Sequence, residues 1–352
     1  MELAEAQKKI ERKKNLEIWL KGISDLAPAS MTLMTGDASF RRYFRVISPR
    51  GTFVAMDAPP PEEHCAPFVA IASALREMGL CVPDVLAEDR EQGFLLLTDF
   101  GDTTLLQALS KQNAPMLYGA ALDALAALQG CDAVLGHFTP AFDPAWMWQE
   151  WAWHQFWFLE QLLGLSLTAH EAALENCFGQ LIASAVSQPQ VFMHRDYHAA
   201  NLMWLKDSEE GVNNAQAVGI LDFQDAFRGP VTYDLVSLLR DCYIDWPDEC
   251  VNEWALGYWR RLSELGVLTQ VDESRFLRWF DWMGVERHLK ALFTFARKSV
   301  RDQQPHYLRH VPRTLNYILR VSQRYPELAA LHTYYESVVQ PAFLQRGLSC
   351  EP

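Results

Sequence analysis

Two short segments constrain this chain more than any other part of it: His194-Arg195-Asp196-Tyr197-His198-Ala199-Ala200-Asn201 and Ile220-Leu221-Asp222-Phe223-Gln224-Asp225. An Asp stands five residues before an Asn, and a second Asp closes an apolar run 21 residues after that Asn. Phosphoryl transfer to a hydroxyl needs such a set in this order: one carboxylate for the hydroxyl proton, then two hard oxygen ligands suited to Mg²⁺ on nucleotide phosphates. The fixed positions of H-R-D-x-x-x-x-N are all filled, while D-F-G becomes Asp222-Phe223-Gln224. Each piece alone is weak, since an H-x-D is usually a turn and an Asp at a strand end usually an Asx turn. The spacing decides. Residues 202–205 read as a short strand, 207–214 as a polar, turn-rich connection and 217–221 as the apolar returning strand. That hairpin brings Asn201 and Asp222 together.

At 352 residues the chain exceeds the usual single-domain size, so two lobes are expected. A net charge of -13 argues against nucleic acid or an anionic membrane as partner, and leaves the sign of a small-molecule pocket open. The 7 Cys form no C-x-x-C and no zinc spacing with His, which fits a reduced, cytoplasmic protein. Residues 1–9 are too polar for a signal peptide, and no apolar run reaches membrane-spanning length. Oligomeric state is not legible.

Residues 4–23 read as an amphipathic helix with Ile10, Leu16, Trp19 and Leu20 on one side. Strands are expected at 31–35, over the alternating aromatic and basic residues up to Val46, at 52–56 and at 94–98, with a turn at 49–51. A helix over 63–78 is closed by Gly79. Beyond Gly101, residues 103–130 and 145–187 are helical, the 191–225 segment interrupts them, and the chain from 232 onward is mostly helical. The expected class is therefore α+β, a β-rich lobe of residues 1–100 before a mainly helical lobe of 101–352, with the boundary at 98–102. Asp99-Phe100-Gly101 is a literal D-F-G, but it precedes the H-R-D segment; it reads as the connector between lobes, without a metal role.

These motifs, their order and the layout resemble the protein-kinase-like fold, and more narrowly the aminoglycoside phosphotransferase family. That family carries H-x-D-x-x-x-x-N, then I-D-F/W, then Tyr-Asp-Leu, here Tyr233-Asp234-Leu235. No A-P-E segment follows Asp222, which separates the chain from protein kinases. Residues 36–44, 56–60, 222–226, 229–243 and 286–290 are similar to a subgroup of bacterial cell-wall recycling kinases that act on the anomeric hydroxyl of N-acetylmuramate and N-acetylglucosamine. The resemblance implies a protein-kinase-like two-lobe fold, ATP and Mg²⁺ as cofactors, and a small-molecule amino sugar as substrate. Candidate nucleotide contacts are Ser39, Phe40, Arg41, Arg42 and Asp99.

One departure matters. Kinases place a Lys on the strand after a glycine-rich loop to hold the phosphates. Here that strand reads Val54-Ala55-Met56-Asp57, and the loop has a single Gly, Gly36. Arg41, Arg42 and Arg45 are the nearest cations, and alternation along a strand lets only some of them face inward. A solvated basic face suits any single one equally well.

Asp196 is the candidate general base, and Asn201 and Asp222 the candidate metal ligands. His194 reads as a loop organiser. By resemblance, Asp234 anchors the catalytic loop through backbone amides. Asp225 either touches substrate or metal, or begins the next turn. Trp146, Trp148, Trp151, Trp153 and Trp157 mostly read as core, with Trp153 the candidate for stacking on a sugar. Arg240, Arg287 and Lys290 complete the candidate substrate set; Arg287 and Lys290 share a helix face that either receives a lactyl carboxylate or is simply solvated. Two other readings remain. The acidic residues Asp241, Asp245, Asp248 and Glu249 would suit a cationic substrate of aminoglycoside or choline type. The missing Lys would suit a non-catalytic nucleotide-binding module, against which the intact Asp196, Asn201 and Asp222 weigh.

Overall fold

Turn chemistry and alternation build the first lobe. The computed structural model describes residues 2–34, 40–61, 63–131, 139–167, 169–205 and 214–347; the loop with Gly36 and Ser39, and the 207–213 connection, lie outside these residues. Five strands, β1 (Ser30–Leu33), β2 (Arg42–Ser48), β3 (Gly51–Asp57), β4 (Val85–Asp89) and β5 (Phe94–Thr98), form a sheet of order β1-β2-β3-β5-β4 with every neighbour antiparallel. The two-residue turn Pro49-Arg50 joins Ser48 to Gly51, setting the β2–β3 register. Alternation then puts Phe44 and Val46 on one face, where Leu16 and Leu20 of α1 (Glu2–Gly22) bury them with Ala55, Phe94 and Leu96. Ile10, expected on that helix face, is 63% exposed, because this small cluster is closed by Leu16, Leu20 and Leu26 and reaches no further along α1. Helix α2 (Cys65–Glu77) ends where Gly79 takes a φ of 79° and its N–H returns to the Arg76 carbonyl. The edge strand β4 has no counterpart in the sequence reading. Its alternation is weak and its pairing slips between Val85 and Ala87.

Beyond Gly101 the expected helices appear in more pieces. The 103–130 stretch divides into α3 (Leu105–Ala108) and α4 (Ala114–Gln129), and the 145–187 stretch into α5 (Pro144–Trp153), a π-helical run over His154–Leu162 and α6 (Glu171–Val186). Then come α7 (Tyr233–Leu239), α8 (Asp248–Glu264), α9 (Glu273–Val300), α10 (Val311–Ser322), α11 (Ala329–Tyr334) and α12 (Gln340–Gln345). The organiser is α9, 28 residues long, in which most positions from Phe276 to Ala296 are buried. Its buried stretch takes polar side chains inside with it, Asp281, Glu286, Arg287 and His288 among them. Two small ribbons lie between sheet and helices: β6 (Gln190–Met193) with β9 (Phe227–Pro230), and β7 (Leu202–Trp204) with β8 (Val218–Ile220). Among the described residues no helix is long and apolar enough to cross a membrane.

Candidate active site

The loop after β6 is shaped by one buried carboxylate. Asp234, in the first turn of α7 and wholly buried, accepts N–H bonds from His194 at 2.7 Å and Arg195 at 3.0 Å. Burial pushes its carboxyl up to about 6 despite these amides and the nearby His194. Arg195 is thereby held at a φ of 75°, a left-handed conformation uncommon for a non-glycine residue. The His194 ring closes the loop: Nδ1 accepts the Asp196 N–H at 3.3 Å, so Nε2–H donates to the Leu221 carbonyl at 2.8 Å. Asp234→Ala would leave two buried amides without an acceptor, at about 1–3 kcal/mol each. The expected loss of unfolding free energy is roughly 2–6 kcal/mol, read from the urea midpoint; an unmoved midpoint would remove Asp234 from this supporting role.

The hairpin brings the expected metal ligands together. Leu202 pairs with Ile220, and the Leu221 N–H donates to the Asn201 carbonyl at 3.1 Å, so Asn201 and Asp222 leave the ribbon side by side. Asn201 donates through Nδ2 to the Asp196 carbonyl at 3.0 Å, which leaves Oδ1 as an acceptor. Asp222 takes a φ of 62°, which Asp tolerates better than most residues, and its side chain is exposed. Gln224, standing where D-F-G has Gly, donates to Asp222 at 2.6 Å and to Asp225 at 3.3 Å. An open amide oxygen beside an exposed carboxylate is a hard donor pair that fits Mg²⁺ completed by phosphate oxygens.

Asp196 lies beside this pair. Its carboxylate is enclosed by the loop yet keeps 41% of its side-chain surface open, and Lys290 Nζ from α9 sits 3.0 Å from Oδ1. Burial opposes its charge, but Lys290, His198, Arg287 and Arg195 outweigh burial and hold the carboxyl well below the usual carboxylate range. Asp196 is therefore a carboxylate in the resting protein.

Above the loop, alternation along β2 turns Arg42 and Arg45 to opposite faces, and Arg41 stands just before the strand. Arg42 turns toward α1, pairing with the buried Asp57 and donating to the Lys9 carbonyl. Arg45 grips the connector: it bonds Asp99 at 2.7 and 3.0 Å, Asp102, and the Gly101 carbonyl. Arg41 faces the cleft, 2.7 Å from Glu63 and 3.5 Å from Asp225, and so spans the two lobes. The Asp99 carboxylate also accepts the Gly101 N–H, so it fixes the connector from within. Phe40 is 63% exposed at the start of the strand.

The substrate candidates are placed unequally. Arg240 is buried, bonded to Asp281 at 2.5 Å and lying over Phe280, away from Asp196. Arg287 is also buried, and its charge faces Asp196, Asp234 and Asp241 from beneath the loop. Lys290 faces Asp196 directly. Trp153 is half-buried, edge-on to Trp146 at 5.9 Å and against Phe293 at 5.8 Å. The acidic residues that would have suited a cation are engaged elsewhere. Asp241 accepts the Ala199 and Tyr243 amides, Asp245 the Tyr317 hydroxyl, and Asp248 pairs with Arg320 and Arg324; Glu249 is exposed.

The pattern that runs from the strands to Asp234 has a counterpart among known proteins. A profile of the phosphotransferase enzyme family matches residues 30–273. The chain belongs to the phosphotransferase enzyme family. Within this family it is 41% identical over 323 residues to an N-acetylmuramate/N-acetylglucosamine kinase of Pseudomonas aeruginosa, covering 92% of each chain. It is 36% identical over 346 residues to the protein of the same name from Neisseria meningitidis, covering 97% of this chain and 100% of the relative. Among solved structures, an aminoglycoside phosphotransferase mutant in ternary complex with ADP and hygromycin B aligns with a TM-score of 0.51 at 16% identity, over 84% of this chain and 94% of that one. A choline/ethanolamine kinase family protein from Mesorhizobium loti aligns with a TM-score of 0.57 at 14% identity, over 92% and 99%. At these identities the likeness establishes the fold.

Several residues of this phosphotransferase site escaped the sequence reading. Glu63 and Gln224 form polar contacts around the cleft, and Tyr43 joins them there: burial first, then the charge of Asp222, raises the pKa of its hydroxyl. Glu150 and Glu286 meet under the loop, where burial and then the charge of Glu150 push Glu286 well up, and the two share a hydrogen bond. Arg195 completes that group, 3.5 Å from Glu150 and over the Phe227 and Trp146 rings. A turn residue such as Gln224 carried a signal, because it replaces a Gly within a known motif. The glutamate pair carried none, since its members are far apart in the chain.

Proposed function

We propose that this protein is an ATP-dependent kinase that phosphorylates the anomeric hydroxyl of N-acetylmuramate and N-acetylglucosamine. The observation that carries the reading is the 36–41% identity, over nearly the whole chain, to proteins named as kinases of those two sugars. The local electrostatics support it. The acidic residues near the site are mostly engaged by amides, hydroxyls and arginines, while the stripe of α9 beside Asp196 is cationic. A cationic substrate would meet the opposite arrangement.

In this reading Asp196 accepts the proton of the C1 hydroxyl as that oxygen bonds to the terminal phosphorus of ATP, and ADP leaves with the electrons of the broken P–O bond. Asn201 Oδ1 and the Asp222 carboxylate would hold Mg²⁺, whose part is to offset charge on the phosphate oxygens. Arg41 is the cleft cation placed to serve where the strand Lys is missing, with Ser39, Phe40 and the Asp99 connector as further nucleotide contacts. Asp225 positions Arg41, and Trp153 offers a ring face to the sugar. Arg42 and Arg240 support the fold through their ion pairs with Asp57 and Asp281. An anomeric hydroxyl is more acidic than an ordinary sugar alcohol, so a carboxylate suffices as its base.

The test sets each free sugar beside its 1-O-methyl glycoside, with the product read by phosphorus NMR. A sugar 1-phosphate from the free sugars and nothing from the glycosides is expected. A phosphorylated glycoside, or a 6-phosphate, would refute the anomeric assignment.

A further inference from the structure

Lys290 and Arg287, the cations expected to meet a substrate carboxylate, are both occupied: one by Asp196, the other beneath the loop. The same helix carries a third. Arg297 stands seven residues beyond Lys290 on α9. Two turns return it to within about 20° of the same face, roughly 10.5 Å along the axis. Its Nε is buried without a partner, and among the described residues its guanidinium joins no ion pair or hydrogen bond. The neighbouring carboxylate, Asp302, is bonded to Arg301 at 2.6 and 3.1 Å instead. Burial, then the like charge of Arg301, works against the charged form of Arg297. The charge of Asp302 offsets this only in part, and the rest of the half-exposed guanidinium stays open to a further anion, which its buried Nε would favour.

The surroundings say where that anion belongs. Between the two cations, the Thr294 hydroxyl is used up on the Lys290 carbonyl at 3.0 Å. Trp153 flanks the stripe through Phe293. The stripe therefore offers Asp196 and Lys290 at one end, a middle whose hydroxyl is already satisfied beside an aromatic flank, and a cation without a hydrogen-bond partner at the far end. A sugar ring with its reactive hydroxyl at one side and a carboxylate on a short ether arm at the other has the same layout. In the function proposed above, the nucleotide phosphates are assigned to Asn201, Asp222 and Arg41 instead.

We propose that Arg297 receives the carboxylate of the acidic amino sugar while its anomeric hydroxyl stands at Asp196, and so sets the preference for N-acetylmuramate over N-acetylglucosamine. This rests on the function proposed above. The experiment measures kcat and KM for both sugars at saturating Mg·ATP in the wild type, Arg297→Gln and Arg297→Lys. In Arg297→Gln the ratio of kcat/KM for N-acetylmuramate to that for N-acetylglucosamine is expected to fall about tenfold to a hundredfold, the scale of one lost charge-assisted bond. The fall should lie in KM for N-acetylmuramate, and Arg297→Lys should recover part of the ratio. A ratio that stays fixed overturns the inference even if both rates drop, because a packing defect affects both sugars alike. Turnover of both sugars with a fixed ratio leaves the proposed function standing and removes only Arg297. A wild type that phosphorylates neither sugar removes both.

Discussion

Asp196→Asn is expected to lower kcat by about 10²- to 10⁴-fold, the usual contribution of a positioned general base, while fold and nucleotide affinity persist. The substitution keeps the side chain's shape and the backbone geometry. The His194 ring still accepts the residue-196 N–H, and Asn201 still donates to the residue-196 carbonyl. What goes is the proton acceptor, and with it the partner of Lys290. The charge environment adds a pH signature. Lys290, His198, Arg287 and Arg195 hold the Asp196 carboxyl below its usual range against burial. A depressed carboxylate stays charged as pH falls, so the rate should show no loss of this base above about pH 5. Lys290→Met removes the largest of those charges, so part of the depression is relieved and any acidic limb of kcat moves toward neutral pH. The measurements are steady-state kinetics across pH and Mg·ATP titration of the folded variant. Turnover of Asp196→Asn within a few-fold of the wild type would end the base assignment.

Legibility followed contact range. The course of the loop after β6, the β7–β8 hairpin and most of the sheet are legible because their determinants are local: turn residues, strand alternation and a motif of fixed spacing. Gly79 ends α2 as its position predicts, and Ser48 meets Gly51 across a two-residue turn. Where packing decides, the reading thinned. Trp151 and Trp153 are two apart in one aromatic cluster, yet one is buried on Phe178 and His154 while the other stays half-open toward Phe293. Arg41, Arg42 and Arg45 look interchangeable along the strand; Asp57, Asp99 and Glu63, brought in from elsewhere, give each a different task. Lys290 reaches Asp196 across 94 residues, and the pairing makes it a partner of that carboxylate rather than a free cation. Acidic residues near the motif suggested a positive ligand until Arg320, Arg324 and the loop amides were seen to hold them.

Asp222→Ala should weaken Mg·ATP binding by at least about 10- to 100-fold, since even residues that only support a metal ligand cost that much when lost. Two effects must be separated. Asp222 sits at a φ of 62°, where Ala is less comfortable than Asp, so part of any loss could be conformational. Asp222→Asn answers this. Asn accepts the same backbone and keeps one oxygen, but removes the charge that a hard dication prefers. Gln224 complicates the reading in a useful way. It bonds both Asp222 and Asp225, and Asp225 in turn stands 3.5 Å from Arg41. Loss of the 222 carboxylate therefore frees Gln224 and loosens the bridge between the lobes. A metal ligand predicts that the defect grows with Mg²⁺ dependence: Asp222→Asn intermediate, Asp222→Ala worst, and both partly rescued by raising Mg²⁺. A bridge residue predicts equal weakening of ATP with or without metal, and no rescue. Calorimetric titration of ATP at several Mg²⁺ concentrations distinguishes the two, and affinity in Asp222→Ala that matches the wild type at every Mg²⁺ concentration would remove Asp222 from the metal site altogether.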